Sequence, residues 1–293
     1  MEKSKVYFTG EITPEAMIKL YEKVGKELSG NIAIKVHSGE KGNQNFLKPS
    51  FMKDIINYVK GTVVECNTAY PGARNSTEKH KKLLEYHEWS KYFNVDILDE
   101  NGSIVFTIPN GKVLKENYVG KNLTNYDSML VLSHFKGHPM GGYGGALKQL
   151  SIGCASSEGK AYIHSASKTT DQNKLFDTFA KQNTFLECMA DAASSVMNYF
   201  KGNIVFINIM SNMSVDCDCC EVAEDPCLKD IGILASLDPV AIDKACLDLV
   251  KESNDQGKEH FLERVSSRNG EYTIFASEKL GIGTTDYELI RID

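Results

Sequence analysis

No stretch of this chain reaches the run of about 18 apolar residues that a membrane-spanning helix needs. Behind Met1-Glu2-Lys3-Ser4-Lys5 there is no apolar segment of the signal-peptide kind. These absences lead to the expectation of a cytoplasmic protein with no membrane partner. Excess positive charge is also missing: 33 Lys and Arg face 39 Asp and Glu, for a net charge of -6. That argues against nucleic acid as a partner, because a phosphate backbone needs a basic face. The stringent nucleotide fingerprints fail too, since Gly142-Tyr143-Gly144 lacks the third spaced glycine of a dinucleotide loop and no G-x-x-x-x-G-K-[ST] occurs. Internal repeats and low-complexity tracts are likewise lacking.

What remains is ordinary globular material. With 293 residues, 42% hydrophobic and 25% charged, the chain can bury a large core, either as one domain over 1–293 or as two closely joined halves, 1–125 and 126–293. Short β-branched runs alternate with helical stretches. Val6-Tyr7-Phe8, Ile32 to Val36, Thr62-Val63-Val64, Val95 to Leu98, Met129 to Leu132, Ile204 to Ile209 and Ile231 to Leu234 read as strands. Thr13-Pro14 starts a helix with Gly30 as its stop, Lys48-Pro49 starts a second, Ser76 to Phe93 forms a third, and Lys174 to Phe200 forms a long fourth. Ile104 to Ile108 and Val113 to Tyr118 read as a hairpin across Asn110-Gly111. The expected fold is α/β: a mostly parallel sheet with helices on both faces, three layers in all, plus the appended β-hairpin.

A parallel sheet sends every strand-to-helix loop to one edge, so polar residues distant in sequence converge there. The loops expected at that rim are His37 to Asn43, Cys66 to Asn75, Ser133 to Gly145, Asn208 to Cys227 and Ala235 to Asp238. The richest is Ser133 to Leu150, SHFKGHPMGGYGGALKQL, in which His134, Lys136 and His138 precede Gly141, Gly142, Gly144 and Gly145. Such a loop suits a phosphate or carboxylate, with the helix after Gly145 aiming free N–H groups at the ligand and Lys148 in its first turn. Lys41, Asn43 and Arg74 are further candidates for anion contacts. The metal signal is Asp216-Cys217-Asp218-Cys219-Cys220, where Cys217 and Cys220 have the C-x-x-C spacing of zinc and iron–sulfur knuckles. A second such pair is missing, so a closed four-ligand site would need Cys227, seven residues on, together with Cys219 or a residue from elsewhere such as His134 or His138. Eight cysteines in a reducing compartment read as thiols or ligands rather than disulfides.

The segments Lys35 to Asn43, Asn67 to Arg74, SHFKGH with GGALK and GCAS, DCDC, and DIGILASLDPVAIDKA resemble the domain-of-unknown-function 362 family, often labelled iron–sulfur centre proteins. Many members carry a ferredoxin-like cysteine insertion after the stretch equivalent to Gly153-Cys154-Ala155-Ser156. Here His164 to Phe185 contains no cysteine, so the resemblance implies the core pattern at His37, His134, Lys136, His138, Lys148, Cys217 and Cys219 without the inserted clusters.

Three functions stay open at this point. The first is a metal-dependent enzyme for a small anionic molecule, with zinc or iron on His134, His138, Asp216, Cys217, Cys219 and Cys220, and with His37, Lys136 and Lys148 as catalytic groups. The second is an iron–sulfur protein passing electrons to a redox partner protein. The third is a non-catalytic metal- or ligand-binding module.

Overall fold

The computed structural model describes residues 3–293. In chain order its elements are β1 (Ser4–Thr9), α1 (Pro14–Val24), β2 (Ile32–Lys35), α2 (Pro49–Val59), β3 (Thr62–Glu65), α3 (Thr77–Tyr86), α4 (Trp89–Tyr92), β4 (Val95–Ile97), β5 (Ser103–Thr107), β6 (Glu116–Gly120), β7 (Ser128–His134), β8 (Lys136–His138), β9 (Gly142–Gly144), α5 (Ala146–Lys148), α6 (Ser157–His164), α7 (Gln182–Phe200), β10 (Ile204–Met210), β11 (Gly232–Ser236), α8 (Pro239–Glu252), α9 (Lys258–Ser267), α10 (Tyr272–Lys279) and β12 (Tyr287–Arg291).

The main sheet has eight strands in the order β12-β1-β11-β10-β7-β2-β3-β4. All its neighbours pair in parallel except β11, which runs antiparallel to both β1 and β10. Strands buried on both faces have no polar side to present, which is why β7 and β10 are apolar almost throughout. Within β7 the pleat sends Met129 and Val131 into one core and Leu130 and Leu132 into the other. One core packs α1, α2 and α4 through residues such as Leu20, Ile55 and Trp89. The opposite core takes α5, α7, α8 and α9 through Leu147, Val196, Ile242 and Phe261. The fold is thus α/β in three layers, with β5 and β6 as the appended hairpin. No helix of the described residues is long and apolar enough to cross a membrane.

Several element boundaries differ from the sequence expectation, each for a local reason. Thr13 caps α1 by accepting from the Ala16 amide, but the helix ends at Gly25, whose φ of 71° closes it before Gly30 is reached. The single helix expected over Ser76 to Phe93 breaks at Glu88, where φ is 63°. The break lets the His87 ring and the Trp89 indole N–H both meet the Ser38 carbonyl, at 2.9 and 3.2 Å. The fourth helix starts at Gln182, not Lys174; the chain before it folds against α6, with the Ala180 amide donating to the His164 carbonyl. Helix α6 itself was not expected, although Ser156 caps it through the Gly159 amide.

Candidate metal centre

From β2 the sheet grows outward through β3 and β4, and the chain then crosses to the other side of β2 with β7 and β10. Open α/β sheets bind ligands at the carboxyl ends of the strands where the order reverses in this way. The loops leaving β2, β3, β7 and β10 all reach that rim. The fifth expected loop, Ala235 to Asp238, does not, because β11 is reversed. Its end lies at the opposite edge, where Asp238 accepts from the Ser4 hydroxyl at 2.6 Å and caps α8.

At the rim the cysteine loop is held by the loop after β2. Asn43 donates from Nδ2 to the carbonyls of Cys217 and Cys220 at 3.3 and 2.9 Å, while its Oδ1 accepts the amides of Asn45 and Phe46. Its amide is therefore fully engaged in holding that loop. Asp218 ties the third loop in. Its carboxylate lies 2.8 Å from His134 Nδ1 and 2.9 Å from Lys136 Nζ, and its carbonyl accepts the Glu40 amide. Burial alone would raise the Asp218 carboxyl, but His134 and Lys136 hold it well below the usual carboxylate range.

This lattice brings together the Nε2 of His138 and the Sγ atoms of Cys217 and Cys219, all within 4.8 Å of one another. The distance from Cys219 Sγ to His138 Nε2 is 3.9 Å. Lys148 Nζ sits 3.3 Å from Cys217 Sγ, and the Cys219 amide points at the same sulfur at 3.3 Å. Burial and the neighbouring Cys219 push the Cys217 thiol up, yet Lys148 and His138 help bring it below its ordinary value. Lys148 in turn stays an ammonium, because the thiols of Cys217 and Cys219 outweigh its desolvation. Burial followed by Arg74 lowers the His37 ring to about 4, with the nearby Cys217 thiol working the other way.

The other expected ligands stand outside this group. Both ring nitrogens of His134 face acceptors, Asp218 and the Ser211 carbonyl, so neither is turned to the thiols. Asp216 pairs with Arg264 at 3.1 Å. Cys220 lines the adjoining cavity without joining the three grouped atoms. Of the expected anion contacts, Lys41 is exposed, and the buried Arg74 guanidinium is paired with Glu40 at 3.2 Å and Glu65 at 3.8 Å.

The glycine run forms a tight ribbon in which β8 pairs with β9, Lys136 opposite Gly144. Gly142, at φ 80°, makes its turn against Gly270. The N–H groups expected to be free after Gly145 are taken: Asp243 accepts the amides of Ala146 and Leu147 at 2.8 and 3.0 Å. A Cβ on Gly145 would run into that carboxylate. What lies open beside the thiols is a cavity of about 210 Å³, lined by Tyr70, His138, Met140, Lys148, His164 and Cys219 among others. Burial and then the nearby Cys219 push the Tyr70 hydroxyl well above its ordinary value.

Sequence reasoning missed Tyr70 and His164, and also the buried pair Lys35 and Glu65, 2.7 Å apart beneath the rim. The pair did leave a signal, since each is the lone charge closing an otherwise uncharged strand.

The family described as domain of unknown function (DUF362) matches residues 32–248. No curated protein matches the chain. Among solved structures, the lactate racemase apoprotein from Thermoanaerobacterium thermosaccharolyticum aligns at 12% identity and a TM-score of 0.43, over 70% of this chain and 50% of that one. A Thermotoga maritima protein aligns at 11% identity and a TM-score of 0.40, over 91% of this chain and 58% of its own. The chain thus spans half the length of the first and 58% of the second.

Proposed function

From the premise that the chain belongs to the DUF362 family, and from the geometry of its rim, we propose that it binds one thiophilic metal ion through Cys217, Cys219 and His138 and acts on a small anion held beside that ion by Lys148. The carrying observation is the grouping of two thiols and an imidazole within 4.8 Å, next to a buried ammonium and a small cavity. On a tetrahedral ion with bonds of about 2.0–2.3 Å, such ligand atoms lie roughly 3.5–3.8 Å apart. The 3.9 Å between Cys219 and His138 fits that spacing after a small contraction.

Two sulfurs and a nitrogen suit zinc or iron, and three protein ligands leave a fourth position open, as in catalytic sites. Three donors, with Cys227 directed instead to the Met213 carbonyl, support a single ion over an iron–sulfur cluster. Such an ion supplies Lewis acidity when bound. The chain's own contribution is to hold an anion at Lys148, to wall the cavity with Tyr70, Met140 and Ile152, and to limit water by the smallness of the cavity. The partner we propose is accordingly a small molecule, not nucleic acid.

One observation favours a second reading. The amides of Met140 and Gly141 donate to His138 Nδ1 at 3.2 and 2.8 Å, so the neutral ring carries its proton on Nε2, facing the thiols. In metal ligation the non-ligating nitrogen usually donates instead. On this reading Cys217 is a thiolate nucleophile stabilised by Lys148 and His138.

Elemental analysis of protein purified without added metal separates the two. About one zinc or iron per chain, lost in a Cys217→Ser/Cys219→Ser variant, is the result we expect. Metal retained by that variant contradicts the proposal. Metal-free wild-type protein whose Cys217 alkylates rapidly at neutral pH supports the nucleophile instead. A visible band that bleaches on reduction in anaerobic protein would identify a cluster.

A further inference from the structure

Helix α6 brings a residue to the cavity that neither the thiol group nor the rim lattice uses. His164 is 6% exposed, stacks on Phe185 and lines the same cavity as Lys148 and Cys219. Its Nδ1 lies 2.7 Å from the Lys160 carbonyl. A carbonyl can only accept, so Nδ1 carries the proton and the neutral ring keeps its lone pair on Nε2. Among the described residues that Nε2 has no hydrogen-bond partner. His37 and His138 have the opposite tautomer, because backbone amides donate to the Nδ1 of each.

The donor and acceptor inventory of the cavity is therefore lopsided. Lys148 can only donate there, while His138 Nε2 is taken up as a metal ligand. His164 Nε2 is the neutral acceptor. Met140 and Ile152 supply apolar wall. A cavity of about 210 Å³ is below the usual range for drug-sized ligands. The complement is a molecule of a few heavy atoms with a carboxylate for the Lys148 ammonium, a short carbon skeleton and one hydrogen-bond donor for His164.

We propose that His164 is the specificity-determining acceptor of this site, and that the ligand class is a small hydroxylated carboxylate whose carboxylate meets Lys148 and whose hydroxyl donates to His164 Nε2. This rests on the anion-site reading above. Burial, then the nearby charges of His138, Lys148 and Lys160, lower the ring to about 4 despite its bond to the Lys160 carbonyl, so it is neutral and accepting at physiological pH. An analogue without the hydroxyl leaves that lone pair unmatched once the ligand has shut water out of the cavity, which costs roughly tenfold to a hundredfold in affinity.

The test is calorimetric titration of the full-length protein, as isolated with its metal, with hydroxyacetate and with acetate, which differ by one hydroxyl. We expect wild type to bind hydroxyacetate about tenfold or more tighter. His164→Ala should bind both equally, and His164→Gln, which keeps an acceptor oxygen, should restore part of the preference. Lys148→Met should weaken both ligands together, and elemental analysis should show unchanged metal in both His164 variants. Equal wild-type affinities, or a preference surviving in His164→Ala, overturns the role of His164 while Lys148-dependent acetate binding leaves the anion site standing. Loss of metal in the His164 variants also overturns it, by making the ring a ligand. If wild type binds neither probe, the anion site falls as well.

Discussion

Replacing Asp218 with asparagine removes the charge on which the rim lattice closes. Asp218 is 1% exposed and Lys136 3%, and the two lie 2.9 Å apart with His134 on the other carboxylate oxygen. The variant leaves a buried ammonium without its counter-charge, a change that costs about 3–5 kcal/mol when a buried pair loses one member. For a chain of this size, each kcal/mol moves the midpoint by about 2–4 °C. Thermal unfolding followed by circular dichroism should therefore show Tm lowered by roughly 10 °C at pH 7.5. Asp225→Asn, at an exposed position of the same loop, should change little. Adding Lys136→Met to Asp218→Asn should recover part of the loss, since the unpaired charge is then gone. The pH dependence has a definite sign. The folded Asp218 carboxyl titrates well below its unfolded value, so its contribution is complete above about pH 4 and is lost only as pH falls below that. Between pH 5 and 8 the difference between wild type and variant should be constant. A Tm within about 1 °C of wild type would refute the claim that Asp218 joins the histidine and cysteine loops.

Asp243 makes the opposite prediction, because burial raises its carboxyl to about 6 despite the amides of Leu147 and Ala146 and the side chains of Asn208 and Tyr143. The folded state then holds that proton more tightly than the unfolded chain, so stability is lost as pH rises from about 4 to 6, by about 3 kcal/mol in all; urea midpoints should show this slope in wild type and not in Asp243→Asn. Lys148→Met should slow alkylation of Cys217 by iodoacetamide in metal-free protein at pH 7 about tenfold, and an unchanged rate would mean that the ammonium 3.3 Å away does not govern the thiol. Strands from 1–125 and 126–293 share one sheet, with β1 lying between β12 and β11 and β2 beside β7, so we propose that they unfold together: fluorescence of the single tryptophan, Trp89, should coincide with far-ultraviolet circular dichroism across a urea titration, and separated transitions would show two independent halves.

The layered α/β fold was legible because its strands are apolar runs between helix starts such as Thr13-Pro14 and Lys48-Pro49, and periodicity is a local property. Convergence of the loops after β2, β3, β7 and β10 followed from parallel order alone. The direction of β11 was not legible: nothing within Ile231 to Leu234 tells whether the 21-residue connection from Met210 to Gly232 reverses the chain or carries it back across the sheet. The glycine run misled for a related reason. Its free helix N-terminus is filled by Asp243, about a hundred residues on in sequence, and no spacing rule reports a partner at that distance. His164 lay hidden because Ser156-Ser157-Glu158 reads as loop until the cap is seen, and because the tautomer of a ring depends on which carbonyl it meets.

The most direct test of the account is X-ray absorption at the edge of whatever metal the purified protein carries. A first shell of two sulfurs and one histidine nitrogen, with the sulfur signal abolished in Cys217→Ser/Cys219→Ser, is the predicted result. A shell of oxygen and nitrogen alone, or the same sulfur signal in the double-serine variant, would contradict a centre built on Cys217, Cys219 and His138.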